Sequence, residues 1–98
     1  MTEIQIILSK IAEEAGEVAQ AAMKAQKYGL NNKRDDKPSK AELLMKEVAD
    51  LGFAVAKLTE ARPELEDVLD KEIDDDGEAL REEKWQAMLE KSKAYEEG

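Results

Sequence analysis

An acidic residue interrupts each of the two strongest helical patterns in this chain. At about 100° per residue, Ile4, Leu8, Ile11, Ala15, Val18, Ala22 and Ala25 recur at alternating steps of four and three and predict a helix with one apolar stripe. Beside that stripe runs a row at steps of seven, Ile7, Glu14, Ala21 and Tyr28, in which Glu14 is the only charged member. Farther on, Leu43, Leu44, Leu51, Ala54, Val55 and Leu58 make a second apolar arc; Glu47 projects from its middle and Asp50 borders it. Burying an ionised carboxylate alone costs several kcal/mol or more, so such a group is paired, protonated or bound to metal. Four carboxylates from two facing helices, Glu14 and Glu17 on one and Glu47 and Asp50 on the other, each pair at i,i+3 spacing, could surround hard cations.

The punctuation between the patterns gives the order of elements. Thr2 can cap a first helix running from Glu3 to Tyr28, with Gly29 as its C-cap. Leu30 to Pro38 is polar and turn-rich, a loop. Ser39 with Glu42 forms a capping-box pattern ahead of a second helix from Lys40 to Ala61, and Arg62-Pro63 ends it. A short third helix would carry Leu65, Val68, Leu69 and Ile73. Asp74-Asp75-Asp76-Gly77 breaks it, and Asp75 or Asp76 would cap a last helix from about Gly77 to Tyr95, burying Leu80, Trp85, Met88 and Leu89. No strand pattern or repeat appears. The expected fold is all-α, one domain over residues 1–98: an antiparallel helical hairpin covered by two shorter helices, a four-helix-bundle-like subunit. Met45, Ala49, Phe53 and Ala56 lie off the second arc and call for a further surface, so an oligomer is expected.

Composition narrows the chemistry. The 98 residues include no cysteine and no histidine, which removes disulfides, thiolate nucleophiles, Ser-His-Asp catalysis and the usual zinc, haem and iron–sulfur ligands. A metal would have to be held by oxygen, which favours Mg²⁺, Mn²⁺ or Ca²⁺. With 24 acidic and 15 basic residues the net charge is −9, which argues against nucleic-acid and anionic-membrane binding. No apolar run approaches the roughly 20 residues of a membrane span, and the N-terminus does not read as a secretion signal. The expectation is a cytoplasmic protein.

The carboxylates fall into two motifs, Glu13-Glu14-Ala15-Gly16-Glu17 and Glu47-Val48-Ala49-Asp50. Together they resemble the EExxE and ExxD signature of the MazG-like all-α nucleoside triphosphate pyrophosphohydrolases. The likeness covers roughly the first 58 residues, and the run from Glu13 to Gly29 is similar to the short, single-domain members. The resemblance implies cleavage of an NTP or dNTP between its α and β phosphates, giving the monophosphate and pyrophosphate. It implies Mg²⁺, or Mn²⁺, held by Glu14, Glu17, Glu47 and Asp50, with Glu13 an accessory carboxylate that positions the attacking water. It also implies a homodimer or homotetramer. Basic residues for the phosphates have no clear match; Lys24 and then Lys27 are the local candidates, with Lys84 and Lys91 more distant ones.

Competing readings attach to the same residues. The four carboxylates could pair with lysines, Lys10 and Lys46 being close in sequence. Asp74-Asp75-Asp76-Gly77 begins like a calcium loop but lacks its alternating ligands and closing glutamate, so a capped helix break accounts for it. Trp85 and Tyr28 could stack on a base or simply pack. Lys33, Arg34 and Lys37 are interleaved with Asp35 and Asp36, as in a solvated loop. For the whole chain, the alternatives are a phosphoribosyl-ATP pyrophosphohydrolase-like enzyme or a non-catalytic helical assembly module.

Overall fold

Reciprocal hydrogen bonds start the first helix. Thr2 Oγ1 accepts from the Gln5 amide at 3.1 Å, and Gln5 Oε1 accepts from the Thr2 amide at 2.9 Å, a complete capping box. The computed structural model describes the backbone of residues 1–97 and side chains as far as residue 93. Its elements are α1 (Glu3–Tyr28), α2 (Lys40–Ala61), α3 (Glu64–Glu72) and α4 (Asp75–Glu97), with no strand among the described residues. The chain divides into two compact units, Met1–Arg62 and the remainder from Pro63.

In the first unit, α1 and α2 pack as an antiparallel hairpin. Gly29, at φ +95°, donates its amide to the Ala25 carbonyl at 2.8 Å and turns the chain out of α1. The loop then supplies the acceptors that the first turn of α2 lacks. The amides of Lys40 and Ala41 donate to the carbonyls of Asn32 and Leu30, each at 2.9 Å, and Ser39 Oγ accepts from the Glu42 amide at 3.2 Å. These bonds tie the start of α2 beside the end of α1.

The seam between them differs from the stripe that the α1 sequence predicts. The buried and half-buried residues of α1 are Ile4, Ile7, Ile11, Glu14, Val18, Ala21 and Ala25, at strict steps of three and four. Leu8, expected in the seam, is 49% exposed, and Ala15 and Ala22 are exposed as well. The physical reason is that two paired helices share a narrow seam of alternating three- and four-residue steps, whereas α1 is apolar over a much wider arc. The pairing rotates α1 towards the row that contains Glu14, which therefore lies inside the seam. Tyr28, at the end of that row, is 52% exposed. On α2 the seam is Leu44, Glu47, Leu51, Ala54, Val55, Leu58 and Ala61.

The second unit joins α3 to α4. Pro63 sits before α3, as the Arg62-Pro63 break predicts. Asp74, and not Asp75 or Asp76, caps α4: its Oδ1 accepts from the Gly77 amide at 2.9 Å, because the helix begins two residues earlier than expected. The Glu72 carbonyl lies so close to Gly77 that a Cβ there would collide with it, and Arg81 reaches back to the same carbonyl and to Glu72 Oε2. Of the four residues expected to be buried on α4, only Leu89 is half-buried; Leu80, Trp85 and Met88 are exposed. A pair of helices this small buries too little surface to cover them.

Candidate metal centre

Glu14 is the one buried charged residue among those described, at 8% exposure. Its position follows from the hairpin: the seam that takes Ile11 and Val18 takes the residue between them. Glu47 occupies the matching place on α2, between Leu44 and Leu51, and is half-buried; Asp50, one turn on, is exposed at the seam edge. The three carboxylates each bring one oxygen to within 4.8 Å of the others. Helix geometry holds all three, so their approach is a property of the backbone pairing and needs no loop to order.

Three mutually repelling carboxylates need a cation. Lys10, one turn before Glu14 on α1, supplies one. Its Nζ lies 3.1 Å from Glu14 Oε1 and 3.5 Å from Glu13 Oε1. The hydrogen bond to Glu14, with the negative charges of Glu13 and Glu14, holds the Lys10 ammonium above the ordinary lysine value. Among the described residues no buried side-chain polar atom is left without a partner. The donor set is all oxygen, the kind that could hold Mg²⁺ or Mn²⁺, and the Lys10 ammonium is the cation paired with Glu14.

Two cavities flank the carboxylates. The larger, about 650 Å³, is lined by Met1, Ile6, Ile7, Ser9, Lys10, Glu13, Glu14, Asp50, Phe53, Ala54 and Lys57. The smaller, about 170 Å³, is lined by Glu17, Gln20, Ala21, Lys24, Lys40, Leu43 and Glu47. Glu17 is thus not one of the three clustered carboxylates but shares the smaller cavity with Glu47. Glu13 is exposed on the rim of the larger cavity, tied to Lys10. Lys24 lines the smaller cavity and also a second hollow, in which Lys27 lies 5.1 Å over the Tyr28 ring.

Lys40, Phe53 and Lys57 enter the two cavities without having been singled out from the sequence as site residues. The spacing contained a signal: Phe53 and Lys57 follow Asp50 by three and seven residues and so share its flank of α2. Lys40 carried no such signal, since its placement depends on the loop that folds α2 back beside α1.

None of the described helices is long and apolar enough to cross a membrane. No known protein family, curated protein or solved structure matches the chain.

Proposed function

We propose that the chain is a nucleoside triphosphate pyrophosphohydrolase dependent on Mg²⁺ or Mn²⁺, releasing pyrophosphate and a monophosphate from an NTP or dNTP in the cytoplasm. The observation that carries the reading is the convergence of Glu14, Glu47 and Asp50 at the seam of one hairpin, in the two motifs that resemble the MazG-like signature.

A bound divalent cation would neutralise triphosphate charge and make a water acidic enough to attack phosphorus. The chain's own residues do the rest. Glu14 and Glu47, fixed by the seam, hold the cation with Asp50, and Glu17 adds its carboxylate from the side of Glu47. Glu13, standing free of the cluster on the cavity rim, orients the attacking water and accepts its proton. Lys24 and Lys40 meet the departing pyrophosphate in the smaller cavity, Lys27 lying next along α1. Lys10, paired with Glu14 at 3.1 Å, would be released by a cation bound there, and its ammonium would then be available to phosphate.

The active form is a homodimer or a dimer of dimers. In a chain with 40% charged residues, one side of the hairpin carries none: Leu8, Ala12, Ala15, Ala19 and Ala22 on α1, and Met45, Val48, Gly52 and Ala56 on α2, are all exposed. An uncharged face of this extent suits burial against another copy.

The test is pyrophosphate release from a panel of ribo- and deoxyribonucleoside triphosphates with Mg²⁺ or Mn²⁺, comparing the wild type with Glu14→Gln and Glu47→Gln. Metal-dependent release of pyrophosphate, lost in both folded variants, is expected. Release of orthophosphate instead rejects α–β cleavage. The Lys10–Glu14 ion pair favours one second reading, a non-catalytic assembly module in which lysine neutralises the acid permanently; absence of both turnover and divalent-cation binding would select it.

A further inference from the structure

The larger cavity changes character along its length. Glu14 and Asp50 lie at one end, Lys10 and Phe53 stand about one helical turn from them, and Ile6 and Lys57 line the far end. From Glu14 back to Ile6 is eight residues of helix, about 12 Å at 1.5 Å per residue. Phe53 is 66% exposed, the chain's single phenylalanine, and the Lys57 ammonium lies over its ring, 5.0 Å from the centroid.

We propose that this cavity holds the nucleoside half of the substrate, with the base on the Phe53 ring and the α-phosphate leading past Lys10 to a cation that Glu14 and Asp50 would hold. The proposal rests on the pyrophosphohydrolase reading and assigns that enzyme's specificity to Phe53 and Ile6. The order of chemistries carries it. A ligand that is anionic at one end and flat and apolar at the other matches a cavity that runs from an acidic cluster, past Lys10, to the exposed Phe53 ring and Ile6. An acyl chain would have no use for Lys10 beside the acids, and inorganic phosphate would have none for the aromatic face. The volume of about 650 Å³ lies within the range of small-ligand sites. Lys57 is paired only at the surface, with Glu60 at 3.2 Å, so its flexible ammonium yields the ring face to a base, whose stacking there replaces a cation–π contact with a larger one.

The proposal also places the two halves of the substrate on opposite sides of the carboxylates. The leaving pyrophosphate belongs to the smaller cavity with Lys24 and Lys40, and the monophosphate to the larger one. The scissile bond then lies over Glu14 and Glu47.

The experiment measures binding of α,β-imido nucleoside triphosphates, one for each base, and of inorganic tripolyphosphate, by calorimetry in the presence of Mg²⁺. The wild type, Phe53→Ala, Phe53→Tyr and Ile6→Glu are compared, with helicity checked by circular dichroism. The expected result is that wild type binds at least one nucleotide analogue more tightly than tripolyphosphate. Phe53→Ala and Ile6→Glu lose about tenfold on that nucleotide, by the usual worth of a stacked base, and nothing on tripolyphosphate, while Phe53→Tyr keeps the wild-type preference. Equal nucleotide binding by wild type and Phe53→Ala overturns the proposal while leaving the pyrophosphohydrolase reading intact. Equal loss on both ligands overturns it too, since Phe53 would then act on the phosphate site or the fold. If wild type binds neither ligand, the functional reading fails and the proposal with it.

Discussion

Lys10 Nζ stands 3.1 Å from Glu14 Oε1, so the one buried acid of the hairpin carries its own counter-ion from the preceding turn. Lys10 itself is exposed. An exposed lysine on a flexible stem is a replaceable partner, which lets a seam tolerate a buried carboxylate before any metal arrives. Replacing Lys10 with Met removes the competitor from the site. Mn²⁺ titrated into Lys10→Met should bind more tightly than to wild type, by a factor of about 2 to 5, as expected for losing one partly solvated ion pair. Weaker Mn²⁺ binding in the variant would mean that Lys10 supports the metal site and does not compete with it.

The same pair fixes the sign of a pH effect. Because the folded chain holds the Lys10 ammonium above its ordinary value of 10.5, its contribution to stability is complete below that pH and is lost as pH rises through the higher, folded-state value. Denaturant midpoints of wild type should therefore fall more steeply than those of Lys10→Met once pH exceeds 10.5. Parallel pH profiles would show that the pair contributes nothing measurable to folding.

A carboxylate retained in a seam for function should be a liability to the fold. Glu47→Leu gives α2 a continuous apolar seam from Leu44 to Leu58 and removes charge repulsion with Glu14 and Asp50. The variant should gain about 1–2 kcal/mol without metal, since replacing buried ionic groups by well-packed apolar ones is often stabilising by this order, raising Tm by about 4–8 °C per kcal/mol for a chain of this size. It should also lack the Tm increase expected of the wild type on adding Mg²⁺ or Mn²⁺. A destabilised Glu47→Leu would show instead that the acid cluster contributes to folding.

The boundaries of α1 and α2 could be read from the sequence because Thr2, Gly29, Ser39 and Pro63 act within a few residues of themselves. The approach of Glu14 to Glu47 was legible for a related reason: each interrupts an apolar row, and a shared seam brings the rows together, with Asp50 at its border; Glu17, expected with them, lies off the seam and outside the cluster. What could not be read was the rotation of α1. Leu8 and Ile7 are equally apolar, and the choice between them is made by the partner helix. The cap of α4 was misplaced by one or two residues within a run of three aspartates, where any of them can accept an amide hydrogen. Exposure of Trp85 and Met88 reflects how little surface α3 offers, a property of length and not of pattern.

The turn between α3 and α4 depends on Gly77. A Cβ at that position would press on the Glu72 carbonyl, to which Arg81 also donates; backbone cannot yield as a flexible side chain does. Gly77→Ala should destabilise the second unit by about 1–3 kcal/mol, the usual cost of an overpacked site. Trp85, in α4, reports on that unit by its fluorescence. The expected outcome is an earlier urea transition in the Trp85 signal, with Mn²⁺ binding at the first unit unchanged. Coincident, unshifted transitions in both proteins would show that the turn rearranges without cost.

Gly52 gives the last test. It lies in the middle of α2 with open space around the position of a Cβ, although glycine within a helix costs about 1 kcal/mol relative to alanine. Nothing in the hairpin itself requires a small residue there, but close approach of a second copy would. Gly52 lies on the uncharged side with Met45 and Val48, whereas Phe53 is about 140° round α2 from Val48 by helix geometry, on the flank of the cation site. A charge on the uncharged side should therefore separate assembly from metal binding. Ala19→Glu combined with Val48→Asp should convert a dimer or tetramer to monomers in light scattering, while Mn²⁺ affinity stays within about twofold of wild type. Gly52→Leu should weaken the assembly too, by bulk alone. If wild type is already monomeric at micromolar concentration, the uncharged side is not a subunit interface. If the double variant loses Mn²⁺ binding along with assembly, the partner copy completes the metal centre, and the hairpin alone is only part of the site.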